Sequence, residues 1–237
     1  MKKLLLYCVA LSVFAAGITG ILFVHPSDRP ALSVPAEYTI VIDAGHGGED
    51  GGAVSVTGVP ESQINLAISC KLEDILAFYG TVPVMLRRED ISLHDRSANT
   101  LREKKVSDLH NRVSGIEAIP NAIVVSIHQN SYPDSRYHGA QVFYAPTSGS
   151  DKLANHIRGS LLVLDRENTR EIKMIPDTVY LMNHISCPAV LVECGFLTNP
   201  QEEVLLRQSS YQKKIAGCLA GSILTVPTLT NIEMELT

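Results

Sequence analysis

Three short runs of this chain are almost wholly apolar, with no polar residue at every second position: Tyr38-Thr39-Ile40-Val41-Ile42, Ala122-Ile123-Val124-Val125-Ser126-Ile127 and Ala189-Val190-Leu191-Val192. A strand with one face in water alternates apolar and polar side chains, so runs of this kind need cover on both faces. The segments between them supply it. Glu61 to Tyr79 carries Ile64, Leu66, Ala67, Leu72, Ile75, Leu76 and Phe78 near helical spacing, and Gly80 follows as a stop. Arg96 to Ile119 reads as a long polar helix with Leu101, Val106, Leu109, Val113 and Ile116 on its apolar side, and Lys152 to Leu164 and Tyr211 to Leu224 read as further helices. Shorter strands are expected at Val82 to Leu86 and Gln141 to Tyr144. Strands alternating with helices imply an α/β fold: a mainly parallel or mixed twisted sheet, helices on both faces, in a single domain.

The ends of the chain differ from this middle. After Lys2-Lys3, the stretch Leu4 to Val24 has no charged side chain and is long enough to cross a bilayer, with its positive start on the cytoplasmic side. A cleaved signal peptide and a retained anchor both fit, and both export the rest of the chain. The expected plan is therefore an N-terminal signal or anchor over residues 1–24, a proline-bearing linker over 25–37, a folded domain over 38–226 and a tail over 227–237. A net charge of −5 and the lack of clustered Lys and Arg beyond the N-terminus argue against nucleic acid as a partner. The five cysteines show no disulfide framework.

Polar groups fall where such a sheet places its chemistry. His46 follows the first strand, His128 ends the third and Glu193 follows the last apolar run; in open α/β sheets, ligands bind beyond the carboxyl ends of the strands. Glu61 opens a helix just after Pro60, facing the loop that carries His46. Two imidazoles and a carboxylate suit zinc with one position left for water, and a second carboxylate can then handle the proton. Taken singly, each residue also has an ordinary reading: a flexible Gly45-His46-Gly47-Gly48 turn, a Glu61 that favours its helix dipole, a core His128. Glu193 is the hardest to explain that way, because a carboxylate joined to an apolar strand is costly to bury unpaired.

Longer motifs sharpen the choice. Ile42-Asp43-Ala44-Gly45-His46-Gly47-Gly48, Glu61 with Asn65-Leu66-Ala67, Val125-Ser126-Ile127-His128-Gln129-Asn130 and Pro188-Ala189-Val190-Leu191-Val192-Glu193-Cys194-Gly195-Phe196-Leu197-Thr198-Asn199 closely resemble the zinc-dependent N-acetylmuramoyl-L-alanine amidases of the amidase-3 type. The resemblance runs from Tyr38 to about Leu224, with the motifs in family order. It implies one zinc ion held by His46, Glu61 and His128, Glu193 as catalytic acid/base, and peptidoglycan as substrate. Arg96 and Asn130 are implied as substrate contacts, with loop organisation the alternative for Arg96; Gly139 is implied at the border of the cleft. The compact plan is most like the germination-specific branch, whose members strip stem peptides so that muramic-δ-lactam forms in spore cortex. Ala44 departs from the family's usual proline, without touching the four site residues. The rival reading is a domain of this fold that grips peptidoglycan or a partner protein without cutting. Whether an accessory protein is needed is not readable from these residues.

Overall fold

A computed structural model describes residues 38–234. Its centre is a six-stranded sheet of β1 (Thr39–Ala44), β2 (Val84–Met85), β3 (Ala122–Asn130), β4 (Gln141–Tyr144), β5 (Lys173–Met174) and β6 (Ala189–Phe196), in the order β2-β1-β3-β6-β4-β5. β2, β1, β3 and β6 run parallel, whereas β4 is antiparallel to β6 and parallel to β5. The sheet is thus mixed, and the fold is α/β as its non-alternating strands require.

Each central strand divides its side chains between two cores. Ile40, Ile42, Ile123, Val125, Ile127, Val190 and Val192 pack on one face with α1 (Glu61–Phe78), α3 (Ser150–Leu161) and α6 (Ser209–Met234), through residues such as Ile68, Leu72, Ile157 and Leu219. Val41, Val124, Ala189 and Leu191 pack on the other face against α2 (Leu101–Glu117) and α4 (Tyr180–His184), through Ile116, Leu181 and Met182. Leu72 has no exposed surface, so trimming it to alanine should cost about 2–5 kcal/mol.

Several boundaries differ from those the periodicity suggests. The helix expected from Arg96 begins at Leu101, because Thr100 and Glu103 form a reciprocal capping box that fixes the first turn. Arg96 therefore sits in an exposed turn ahead of α2. β6 continues past Glu193 to Phe196, and a register shift between His128 and Asn130 accommodates the extra length. The closing helix runs on to Met234, beyond Leu224. β5, α4 and α5 (Pro200–Leu206, capped by the Asn199 side chain) are too short for periodicity to reveal. Among the described residues no helix is long and apolar enough to cross a membrane; the apolar N-terminal segment, the linker and the last three residues lie outside them.

Candidate active site

The parallel strands deliver His46, His128 and Glu193 to one edge of the sheet. His46 stands just after β1, and His128 on β3 is the register partner of Glu193 on β6. Glu61, the first residue of α1, closes the set from the other side. One ligand atom each from His46, Glu61 and His128 lie within 4.8 Å of one another. His128 Nδ1 is 2.9 Å from Glu61 Oε1, and His46 Nε2 is 3.4 Å from Glu61 Oε2.

Glu61 is buried and heavily bonded. Its Oε1 accepts from the Gln129 backbone N–H at 3.0 Å and from Asn65 Nδ2 at 3.2 Å, and its Oε2 accepts from the Ala53 N–H at 3.0 Å. Burial works against its charge, but the hydrogen bond and charge of His128, with His46 and Gln129, outweigh it and hold the carboxyl at about 2. Burial likewise opposes charge on His128, yet the Glu61 hydrogen bond and charge raise its pKa. A buried carboxylate and two imidazoles turned toward one centre form a donor set that suits a divalent cation.

Glycine is required at two places here. A methyl group at Gly45 would lie 2.2 Å from His128 Nε2. At Gly52, where φ is +71°, it would lie 2.6 Å from Glu61 Oε2 and 2.7 Å from His46 Cδ2. His46 itself has φ of 60°, a left-handed conformation uncommon for a residue with a side chain.

Two buried arginines hold the strand end and turn beneath His46. Arg87 donates to the carbonyls of Ala44 (2.8 Å), Gly45 (3.0 Å) and Ser62 (3.0 Å). Arg112 donates to the His46 carbonyl at 2.8 Å and to Asp108 at 2.7 Å, and it pairs with Asp43. Ser126 Oγ donates to Asp43 at 2.6 Å. Burial disfavours charge on Asp43 and Arg112, but their mutual attraction, aided by Ser126 and Asp108, keeps both ionised.

A cleft of about 290 Å³ opens above this floor, bordered by His46, His128, Glu193, Arg112 and the α4 residues Tyr180 and Met182. Among the described residues, no lysine or arginine pairs with the Glu193 carboxylate. Burial lifts its pKa to about 7, Glu61 adding to the rise and His128 opposing it. Its Oε2 has no hydrogen-bond partner among the described residues. Near neutral pH such a group can both take and give a proton.

The four residues singled out from the sequence therefore stand together. Asn130 and Arg96 do not join them: Asn130 lies past the register shift at the end of β3, Arg96 in its exposed turn, and neither borders the cleft. Gly139 also stands apart, its N–H donating to Glu202 at 2.9 Å. Sequence reasoning missed Asp43, Asp50, Arg87 and Arg112. The signal available for Asp43 was an acid ending an apolar strand.

The family model described as N-acetylmuramoyl-L-alanine amidase, amidase-3, matches residues 40–225. The chain belongs to that family. Its enzymatic activity is that of an N-acetylmuramoyl-L-alanine amidase. The germination-specific N-acetylmuramoyl-L-alanine amidase of Bacillus subtilis is 34% identical over 194 residues, 81% of each chain. Among solved structures, the CwlD amidase from Clostridioides difficile in complex with the GerS lipoprotein is 38% identical with a TM-score of 0.77, covering 81% of this chain and 99% of that one. The catalytic domain of the amidase CwlV from Bacillus (Paenibacillus) polymyxa var. colistinus is 30% identical with a TM-score of 0.67, covering 78% and 96%. The amidase-3 chain is thus CwlD-like over its described domain.

Proposed function

We propose that this amidase is a zinc hydrolase that cuts the amide between N-acetylmuramic acid and L-alanine in peptidoglycan, with His46, Glu61 and His128 holding the ion. The observation that carries this reading is the clustering of those three donors beside Glu193, whose Oε2 is buried without a partner among the described residues. Zinc bound there would supply a Lewis acid and a water acidified to a pKa of about 7. Glu193 takes the proton of the attacking water and passes it to the departing amine of alanine, a task open to a carboxyl whose burial favours its protonated form. Glu61, ionised, contributes the negative charge that offsets the cation, and the two arginines keep the His46 turn from shifting under load.

We further infer that the physiological substrate is spore cortex, where removal of stem peptides precedes muramic-δ-lactam formation. Support comes from the similarity to the germination-specific Bacillus subtilis amidase and to the CwlD amidase. That relative was solved with a lipoprotein, which favours an accessory protein for this chain as well. A wall substrate requires export, for which the charge-free Leu4 to Val24 segment after Lys2-Lys3 is suited, as signal or anchor. The test is mass spectrometry of products from purified spore-type and vegetative peptidoglycan incubated with the zinc-loaded protein. Release of peptides with a free L-alanine amine supports the amidase reading, and preference for spore-type wall supports the cortex role. Wall binding without released peptide would instead identify a gripping module, and released acetate a deacetylase.

A further inference from the structure

The turn that carries His46 closes on itself. Gly47 and Asp50 exchange backbone hydrogen bonds of 2.8 and 3.3 Å, which bring the Asp50 side chain against the imidazole. Asp50 Oδ2 lies 3.0 Å from His46 Nδ1. Its Oδ1 accepts from the Gly52 N–H at 3.3 Å, and Lys105 Nζ stands 3.2 Å from Oδ2. The opposite ring nitrogen, Nε2, faces Glu61 at 3.4 Å and so points into the three-donor cluster.

An ionised carboxylate only accepts hydrogen bonds, so Nδ1 must be the donor of this pair. The proton then sits on Nδ1 and the Nε2 lone pair is bare toward the cluster. A free histidine side chain favours the opposite arrangement, with its proton on Nε2, where it would block a cation. The backbone bonds between Gly47 and Asp50 close the turn; the Asp50 carboxylate adds one bond to the loop through Oδ1, from the Gly52 N–H, and turns its other oxygen to the imidazole.

We propose that Asp50 is a positioning residue: it fixes His46 in the Nδ1-protonated tautomer and aims Nε2 at the metal, so that cation affinity depends on a carboxylate outside the ligand set. This rests on the metal-centre reading above. It assigns the residue whose role neither the apolar pattern nor the four-residue cluster accounts for. Carboxylates behind ligating imidazoles are typically worth about 10–100-fold in metal affinity.

The experiment uses the full chain, with two readouts that do not involve cleavage. Long-range proton–nitrogen correlation spectra of the ¹⁵N-labelled, metal-free protein at about pH 8.5, where an ordinary imidazole is neutral, report which ring nitrogen of His46 carries hydrogen. Competition with a chromophoric chelator reports zinc affinity. The parent should show hydrogen on Nδ1, and Asp50→Asn should bind zinc about 10–100-fold more weakly. Lys105→Met, which removes a partner of Asp50 and spares the His46 contact, should stay within about threefold of the parent. Hydrogen on Nε2 in the parent overturns the proposal, as does unchanged zinc affinity in Asp50→Asn. If Asp50→Asn does not fold, the parent's tautomer decides alone. Both expected results in a protein that releases no stem peptide would keep this assignment and refute the amidase chemistry.

Discussion

Replacing Glu193 by glutamine should stabilise the metal-free protein above neutral pH and leave its stability unchanged in acid, relative to a reference offset. Burial raises the Glu193 pKa from 4.5 to about 7. The neutral acid is therefore the form the fold prefers. Below pH 4.5 the group is protonated in both folded and unfolded chains and has no effect. As pH rises toward 7 the unfolded chain ionises first, and stability is lost until the folded group also ionises. At roughly 1.4 kcal/mol for each tenfold change in proton affinity, the full loss is about 3 kcal/mol. Glutamine keeps the shape of the neutral acid and cannot ionise. It also exchanges one unpaired polar atom for another, an offset that does not vary with pH, so the pH dependence of the difference is the quantity to measure. Urea unfolding of chelator-treated protein at about pH 4.5 and pH 8 gives it. The advantage of Glu193→Gln should grow by about 3 kcal/mol between the two. An advantage that is the same at both, or that shrinks toward pH 8, would refute the claim that Glu193 is held in a medium hostile to its charge.

The same residue should matter oppositely for catalysis: Glu193→Ala should retain its metal yet lose at least about a hundredfold in the rate of peptide release from purified wall. His46→Ala or His128→Ala should lose zinc on dialysis, measured by elemental analysis; unchanged metal content would remove that residue from the ligand set. Gly52→Ala should displace Glu61 and His46, cutting zinc affinity at least about tenfold and stability by about 1–3 kcal/mol, read by chelator competition and urea unfolding. Arg112→Met strands Asp43 and Asp108 without their cation, and urea unfolding should show a loss of about 3–5 kcal/mol.

The sequence made the skeleton of this site legible because parallel strands carry their carboxyl ends to one edge. Once β1, β3 and β6 were recognised from their unbroken apolar runs, His46, His128 and Glu193 had to meet near it. Glu61 was legible through its place at a helix start. What lay hidden works across long separations without periodicity. Arg112 reaches the His46 carbonyl from 66 residues away, and Arg87 reaches Gly45 from 42; on a helix or in a loop, either reads as an ordinary surface cation. Asp50 is hidden for the opposite reason: four residues from His46 in a glycine-rich loop, it resembles any solvated turn acid until the turn's backbone bonds are seen. The start of α2 was missed because residues 96–100, ahead of Leu101, contain no glycine or proline to break a helix, and only the Thr100–Glu103 capping box marks the boundary.

Crystals of the zinc-loaded protein, with diffraction recorded on both sides of the zinc absorption edge, address the metal centre directly. One anomalous peak should appear, about 2.0–2.2 Å from His46 Nε2, a Glu61 oxygen and a His128 ring nitrogen, with Glu193 beside it and unbonded to it. A peak anywhere else in the domain, or none at that place, would contradict the account.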